Sequence, residues 1–356
     1  MAASVKVMEL GFIQKAEPWR LRSAQFPSKV GGRPALLGEV GVPLPEALQC
    51  GVCSQPLAFL LQVYAPCTGS FHRTLFIFCC RDPKCHQVSE NRCFKVFRNQ
   101  LPRKNDTYSY GPPLDKPPPA SEDCISFQLK CGLRLCRVCG CLGPKKCSKC
   151  HKVNYCSRQH QLMDWKLQHK LCCEQFEVQT VQVPDHGFLF PEYELVTEPE
   201  ETDYLHEDSM GMETQTSDEI SSCIESSMDD LNLNEEDLDV VAKQETKEDK
   251  VFIRFKKLIS REPEQVLRYC RGGEPLWLSL QHIPVDEDIP YCPCGGKRMF
   301  EFQVMPQLLN HLKVDSFEQS IDWGILAVYT CSTNCNAEKC YKEEFLWKQD
   351  VPGVTM

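Results

Sequence analysis

The sequence contains no apolar run long enough to cross a bilayer, which takes roughly 20 residues. Residues 1–26 also lack the apolar core of a secretory signal, because Glu9, Lys15 and Glu17 interrupt them. The catalytic patterns H-E-x-x-H and G-x-S-x-G are missing, and so is the G-x4-G-K-[ST] loop that holds nucleotide phosphates. These absences predict a chain of the cytosol or nucleus that is not an enzyme and that does not use ATP.

Cysteine, in contrast, is abundant, with 24 residues in a chain of 356. A secreted chain would use them in disulfides, whereas a chain in a reducing compartment uses clustered thiols to bind metal. Since the sequence shows no secretory signal, we expect the thiols to be reduced and the clusters among them to bind zinc.

Lysine and arginine are absent from residues 198–239, which carry 16 acidic residues. Removing these charges from the net charge of −9 leaves +7 on the rest of the chain. The segment has few aromatic residues, so it cannot bury enough apolar surface to offset the entropy cost of ordering. We interpret residues 198–248 as a disordered acidic linker that either keeps the protein soluble or screens a strongly basic partner.

A length of 356 residues is typical of two or three domains. The acidic linker divides the chain, and the proline-rich stretch 105–123 makes a second break. We predict an N-terminal β domain (1–104), a proline-rich connector (105–130), a zinc-finger module (131–175), a second connector (176–197), the acidic linker (198–248) and a C-terminal β domain (249–356).

The zinc-finger module contains four pairs of metal-ligand residues: Cys136-x2-Cys139, Cys147-x2-Cys150, Cys156-x3-His160 and His169-x3-Cys173. Four pairs supply the ligands of two tetrahedral zinc sites. The last two pairs lie at the two ends of a predicted helix over 157–171, and on a helix a spacing of four places both members of a pair on one face. Cys172 is an alternative to Cys173, and the spacing of four from His169 favours Cys173.

At these residues the sequence resembles the MYND zinc finger. It shares the motif residues Tyr155-Cys156-Ser157, His160-Gln161, Asp164-Trp165 and His169-Lys170. The resemblance implies interleaved sites, with the first zinc on Cys136, Cys139, Cys156 and His160 and the second on Cys147, Cys150, His169 and Cys173. Protein ligands fill both sites, so the sites are structural rather than catalytic. The resemblance also implies a surface for short proline-containing peptides, whereas the scattered lysines of the module favour a solvated face over a nucleic-acid site.

Two further cysteine clusters flank the module, in blocks of similar sequence. Each block has two short runs rich in aromatic and β-branched residues, which predict β-strands. The predicted strands of each block end at cysteine pairs. We therefore predict an α+β, mainly β fold with a duplicated zinc-ribbon-like β domain and the MYND finger inserted between the copies. One more zinc ion is predicted in each block, on Cys50, Cys53, Cys80 and Cys85 and on Cys292, Cys294, Cys331 and Cys335. Cys79 is an alternative to Cys80, which the repeat alignment favours; alternatively, these thiols are buried apolar residues without metal.

Outside the finger, the sequence resembles the programmed cell death protein 2 family. The resemblance lies in ELGF (9–12), FPSKVGGRPALLG (26–38), LQVYAP (61–66), VFRNQLPRKND (96–106), EFQVMPQLL (301–309) and IDWGILAVYTC (321–331). It implies a zinc protein of the cytoplasm and nucleus that escorts a newly made, basic protein of the small ribosomal subunit. Such a chaperone would support ribosome biogenesis and cell proliferation or survival. The alternative function is a nuclear MYND-finger adaptor in transcriptional corepression, with DNA binding as a weaker option.

The residues after the linker, 249–270, predict a helix. Their apolar residues recur at helical spacing, at Val251, Phe252, Phe255, Leu258 and Ile259. We predict that this stripe packs into the core rather than against a partner.

Overall fold

The computed structural model describes residues 7–67, 70–119, 126–173, 183–200, 247–314, 320–335 and 340–352. Twelve strands are present in this part of the chain, and ten of them close into one barrel. The barrel strands are β1 (Glu9–Gln14), β2 (Lys29–Val30), β3 (Ala58–Tyr64), β4 (His72–Cys79), β5 (Phe94–Leu101), β8 (Tyr193–Pro199), β9 (Leu267–Tyr269), β10 (Arg298–Val304), β11 (Ile325–Cys331) and β12 (Lys342–Gln349). The remaining two, β6 (Lys145–Lys146) and β7 (Asn154–Tyr155), pair in a small separate sheet.

The described helices are few and mostly short. They are α1 (Arg158–Asp164), a π-helical turn (Trp165–His169), α2 (Lys170–Cys172), α3 (Lys247–Arg261) and α4 (Leu309–Leu312). Single 3-10 turns occupy Pro18–Leu21, Ser23–Gln25, Pro45–Leu48, Pro83–Cys85, Asp286–Asp288 and Pro306–Leu308. No described helix has the length and apolar character needed to span a membrane.

The barrel is built from two similar antiparallel meanders. Its order is β1-β8-β2-β3-β4-β5-β12-β11-β10-β9, and β9 pairs again with β1. Strands β3–β4–β5 come from the first block and β10–β11–β12 from the second, and each meander has a bulge in its first strand, at Leu60 and at Glu301. The shared strand order and bulge agree with the predicted repeat, whereas the zinc-ribbon character of the two units stays a prediction.

The two meanders meet where β5 pairs with β12 over residues 96–98 and 342–344. Strands of the predicted N-terminal and C-terminal domains thus share one closed sheet. Their inward faces contribute to one apolar cluster, which includes Leu75 and Ile77 of β4 together with Leu326 and Val328 of β11. Every residue of β4 is buried, because the barrel core covers one face and packed loops cover the other.

Charged side chains are also buried at this junction. Arg73 on β4 forms a two-pronged ion pair with Glu301 on β10, and both side chains are fully buried. Arg98 on β5 donates from Nε to Oε1 of Glu344 on β12 at 2.7 Å. Each pair joins one block to the other, so the seam combines backbone pairing with buried ionic contacts.

The structure corrects two boundaries near the acidic linker. Glu198 and Pro199, predicted to begin the linker, pair with β1 as the end of β8. This strand was missed because its residues fall in a predicted connector. Residues 201–246 lie outside the described residues, so the predicted disorder is not tested there, and Lys247 and Glu248 belong to α3.

The helix predicted over 249–270 ends at Arg261, and Leu267–Tyr269 forms β9 instead. Pro263 explains the break, because proline has no backbone N–H to donate and disfavours helical geometry in the residue before it. The predicted apolar stripe is also only partly in the core. Phe255 and Ile259 are buried, whereas Phe252 remains 36% exposed.

Candidate metal centres

The first cluster of the finger is organised by the start of α1. The Ser157 hydroxyl accepts a hydrogen bond from the His160 backbone N–H at 3.1 Å and so caps the helix. The cap places His160 Nδ1 3.1 Å from Cys156 Sγ and 3.6 Å from Cys136 Sγ. Cys139 Sγ lies 3.7 Å from Cys156 Sγ, so the four side chains surround one point.

The second cluster of the finger brings together Cys147, Cys150, His169 and Cys173. Cys147 Sγ lies 3.8 Å from Cys173 Sγ, and His169 Nε2 lies 3.5 Å from Cys150 Sγ. The alternative ligand Cys172 points away, with its thiol 3.6 Å from the Gln168 carbonyl oxygen. The structure therefore places Cys173, the residue that the spacing favoured, in the cluster.

The N-terminal outer cluster lies at the ends of β3 and β4 and contains Cys50, Cys53, Cys80 and Cys85. The backbone N–H groups of Val52 and Asp82 donate to the sulfur atoms of Cys50 and Cys80, each at 3.4 Å. Cys79 is the last residue of β4, and its side chain points to the opposite side of the strand. Burial raises the pKa of the Cys79 thiol to about 12, as expected of an apolar core residue.

The C-terminal outer cluster contains Cys292, Cys294, Cys331 and Cys335. Sulfur atoms lie 3.6 Å apart in the pairs Cys292–Cys335 and Cys294–Cys331. Gly295 follows Cys294 with a φ of 86°, which glycine adopts most readily, and its N–H donates to the Cys292 carbonyl oxygen at 2.8 Å. The Gly296 backbone N–H and the Thr333 hydroxyl lower the pKa of the exposed Cys294 thiol to about 6.

The sulfur–sulfur distances in the four clusters are compatible with zinc. Zinc–sulfur bonds of about 2.3 Å in a tetrahedron separate the sulfur atoms by about 3.8 Å. The sulfur–sulfur distances of 3.6–3.8 Å match that value, and the ligand atoms within each cluster lie within 4.8 Å of one another. Thiolate and imidazole groups are the usual ligands of structural zinc, so the clusters are suited to this metal.

The buried carboxylate of Asp164 stabilises the finger, although the sequence motif gave this residue no role. Asp164 accepts hydrogen bonds from the Tyr155 hydroxyl at 2.7 Å and from His186 Nε2 at 2.8 Å, and pairs with Arg137. Burial raises the pKa of Asp164, but these partners outweigh it and hold the pKa below its ordinary value. The contacts tie α1 to β7, so the motif residues Tyr155 and Asp164 have a packing role.

The finger also packs directly against the barrel. Cys141 and Leu142 belong to the main apolar cluster, and Cys141 lies beside Leu36, Phe76 and Tyr341. Arg33, in the loop after β2, donates to the Arg137 carbonyl oxygen at 3.0 Å. Cys141, which sequence reasoning left without a role, is therefore part of the contact between finger and barrel.

Each outer cluster receives a buried cation from the opposite block. Arg98 of the first block donates to the Cys335 carbonyl oxygen at 3.1 Å. Lys348 of the second block donates to the carbonyl oxygens of His86 at 3.2 Å and Gln87 at 2.9 Å, directly after Cys85. Sequence reasoning gave neither residue a role. The signal that could have found them is their shared position, because Arg98 follows Phe97 and Lys348 follows Trp347 in the last strand of each block.

Comparison with known proteins agrees with these features. The family model of the MYND finger matches residues 136–173. The models described as "Programmed cell death protein 2, N-terminal domain" and "Programmed cell death protein 2, C-terminal putative domain" match residues 7–115 and 249–350. The β barrel and its cysteine clusters thus belong to a MYND zinc-finger protein, and no enzyme is named among the three models.

Full-length relatives identify the family more narrowly. The chain is 54% identical over 355 residues to "Programmed cell death protein 2" of Rattus norvegicus, covering 99% of both chains. It is 53% identical over 348 residues to the Bos taurus protein of that name, covering 96% of both. The chain belongs to the programmed cell death protein 2 family.

A more distant relative has a name that refers to ribosomal RNA. "Probable 20S rRNA accumulation protein 4" of Schizosaccharomyces pombe is 35% identical over 99 residues, 25% of this chain and 24% of that protein. No solved structure matches the chain.

Proposed function

We propose that the chain is a non-enzymatic, zinc-binding escort of a basic small-subunit ribosomal protein, which supports ribosome production in the cytoplasm and nucleus. The observation that carries this proposal is the family relationship, which includes the fission yeast relative named for 20S rRNA accumulation. The charge distribution supports it, because residues 198–239 carry 16 acidic residues and no lysine or arginine. Such a segment attracts a basic client and keeps it from other polyanions.

Zinc has a structural role in this proposal. The finger holds two ions, on Cys136, Cys139, Cys156 and His160 and on Cys147, Cys150, His169 and Cys173. Each outer cluster holds one ion, on Cys50, Cys53, Cys80 and Cys85 and on Cys292, Cys294, Cys331 and Cys335. Because four protein ligands saturate each ion, the metal stabilises the fold and leaves no open position for a substrate.

The closed sheet limits how a client can bind. Each of the ten described barrel strands is hydrogen-bonded to a neighbouring strand on both sides. None of these ten strands is therefore an edge strand. We infer that the client contacts side chains on the outer surface rather than adding a strand to the sheet.

An alternative function, a nuclear adaptor that binds proline-containing peptides, has one specific observation in its favour. Three leucines of the finger, Leu162, Leu167 and Leu171, are 45%, 51% and 89% exposed. They lie on the helical segment of the finger, residues 158–172. Exposed apolar side chains of this kind are a common feature of peptide-binding surfaces.

Affinity capture from cells distinguishes the two functions. The full chain is compared with a variant in which the three exposed leucines are replaced by serine, because deleting the finger would also remove its core contacts. Recovery of one small-subunit ribosomal protein in near-equal amount with both chains supports the escort. Recovery of no ribosomal protein refutes it, and loss of the partners from the variant alone favours the adaptor.

A further inference from the structure

Helix α3 has an inner and an outer face of different chemistry. Phe255 and Ile259 are buried on the inner face, where they pack with Leu278, Met305 and Ile325. This contact fixes the helix on the barrel. The orientation of the outer face is therefore set by the fold.

The outer face of α3 consists of Phe252, Ile253, Arg254, Lys256 and Lys257, all of which are exposed. Phe252 is 36% and Ile253 50% exposed, although both are large apolar residues. The ammonium group of Lys256 lies 4.5 Å from the centre of the Phe252 ring. Among residues 7–200 and 250–352, where the structure describes their side chains, no carboxylate forms an ion pair with Arg254, Lys256 or Lys257. The face thus combines unneutralised positive charge with exposed apolar surface.

The segment that precedes α3 in the sequence is acidic and apolar, and so is complementary to the basic and apolar outer face. Residues 229–241, DDLNLNEEDLDVV, contain six carboxylates, five leucine or valine residues and no basic residue. They lie within 201–246, which leaves the described structure at Glu200 and returns at Lys247, the first residue of α3. Glu200 is itself fixed on the barrel by its ion pair with Arg268 at 2.9 Å. Both ends of the segment are therefore attached to the same body as α3.

The short connection favours an intramolecular contact. Only residues 242–246 separate the acidic and apolar stretch from the helix. A tether of this kind gives an effective concentration on the order of millimolar, so even a weak interaction is substantially populated. Opposite charge draws the two elements together, and the leucine and valine side chains cover the apolar part of the face.

We propose that residues 229–241 bind the outer face of α3 in the same molecule. The carboxylates pair with Arg254, Lys256 and Lys257, while the apolar residues contact Phe252 and Ile253. The inference does not depend on the proposed escort function. With residues 229–241 bound to α3, a basic partner must compete with α3 for the acidic segment.

Photo-crosslinking in the full-length protein tests this contact. Leu238 is replaced by p-benzoylphenylalanine, and the crosslinked peptides are identified by mass spectrometry in dilute protein at 0.1 M salt. We expect crosslinks concentrated on residues 250–257. Replacing Arg254, Lys256 and Lys257 by glutamate should reduce their yield at least fivefold, and 0.5 M salt should also reduce it.

A matched control separates docking from mere proximity. Lys145, Lys146 and Arg158 are exposed basic residues of the finger, and replacing these three by glutamate changes the net charge equally. This control should leave the crosslink yield within twofold of the original. If the α3 charge-reversal variant misfolds by circular dichroism, glutamine at the same three positions serves instead. An unchanged yield after either α3 change, crosslinks spread over the surface, or crosslinks mainly between two copies would each overturn the proposal.

Discussion

The buried pair Arg73–Glu301 provides a direct test of whether the two blocks unfold as one unit. Both side chains are fully buried, and Glu301 also accepts hydrogen bonds from Thr330 and, at 3.0 Å, from Tyr269. Replacing Glu301 by leucine leaves the Arg73 guanidinium buried without its carboxylate. Breaking a buried pair from one side costs about 3–5 kcal/mol, a large part of the roughly 5–15 kcal/mol that stabilises a typical protein.

The double variant Arg73→Met, Glu301→Leu should recover part of that loss, because it removes the fully buried unpaired guanidinium. Arg271, which lies 3.6 Å from Glu301 and is 23% exposed, also loses its carboxylate but keeps its hydrogen bond to the Cys331 carbonyl oxygen at 3.0 Å. Urea unfolding of the four proteins of this cycle gives the free energies of unfolding and their coupling. A control is the exposed pair Lys297–Asp286, whose nitrogen and oxygen lie 3.5 Å apart. Asp286→Asn should not measurably change the unfolding midpoint, since exposed pairs contribute little.

Hydrogen exchange followed by mass spectrometry shows where stability is lost. Since the pair joins β4 to β10, Glu301→Leu should reduce protection in both blocks by a similar factor. Loss of protection restricted to residues 249–350 would refute the reasoning. It would mean that the two blocks unfold independently despite their shared sheet.

Three further predictions concern metal, seam and pH. Elemental analysis should find four zinc ions per chain, one for each cluster, and Cys136→Ser should lose at least one; a count of two in the unaltered protein would mean that the outer clusters bind none. Arg98→Met should speed zinc release to a chelator from the C-terminal outer cluster, and Lys348→Met from the N-terminal one, as located by cysteine alkylation; equal effects on both clusters would contradict the reciprocal contacts. Burial raises the pKa of Glu301, but Arg73 outweighs it and holds the pKa below its usual value. The stability that Glu301 contributes is therefore complete above the unfolded pKa of about 4.3 and is lost as pH falls through the folded pKa. Between pH 6 and pH 3, the melting temperature should fall less steeply in Glu301→Gln than in the unaltered protein.

The local sequence determined the secondary structure where apolar runs were dense. The four strongest runs became β3, β4, β10 and β11, since alternating and continuous apolar residues of this kind have few other stable arrangements. The ligand spacing gave the four pairs of the finger and favoured Cys173 over Cys172, which the structure places in the cluster. The interleaving of the pairs came from the MYND resemblance, and the choice of Cys80 over Cys79 came from the repeat alignment. Short spacing fixes which side chains can share a metal, because few backbone turns can place them together.

Only the tertiary structure decided how these elements assemble. The sequence indicated two similar β domains, but it contained no signal that β5 pairs with β12, nor that β8 lies between β1 and β2. The contacts Arg73–Glu301 and Arg98–Cys335 join residues more than 200 positions apart. Such partners are chosen by sheet closure and by the need to neutralise a buried charge, and neither condition is visible until the chain is folded.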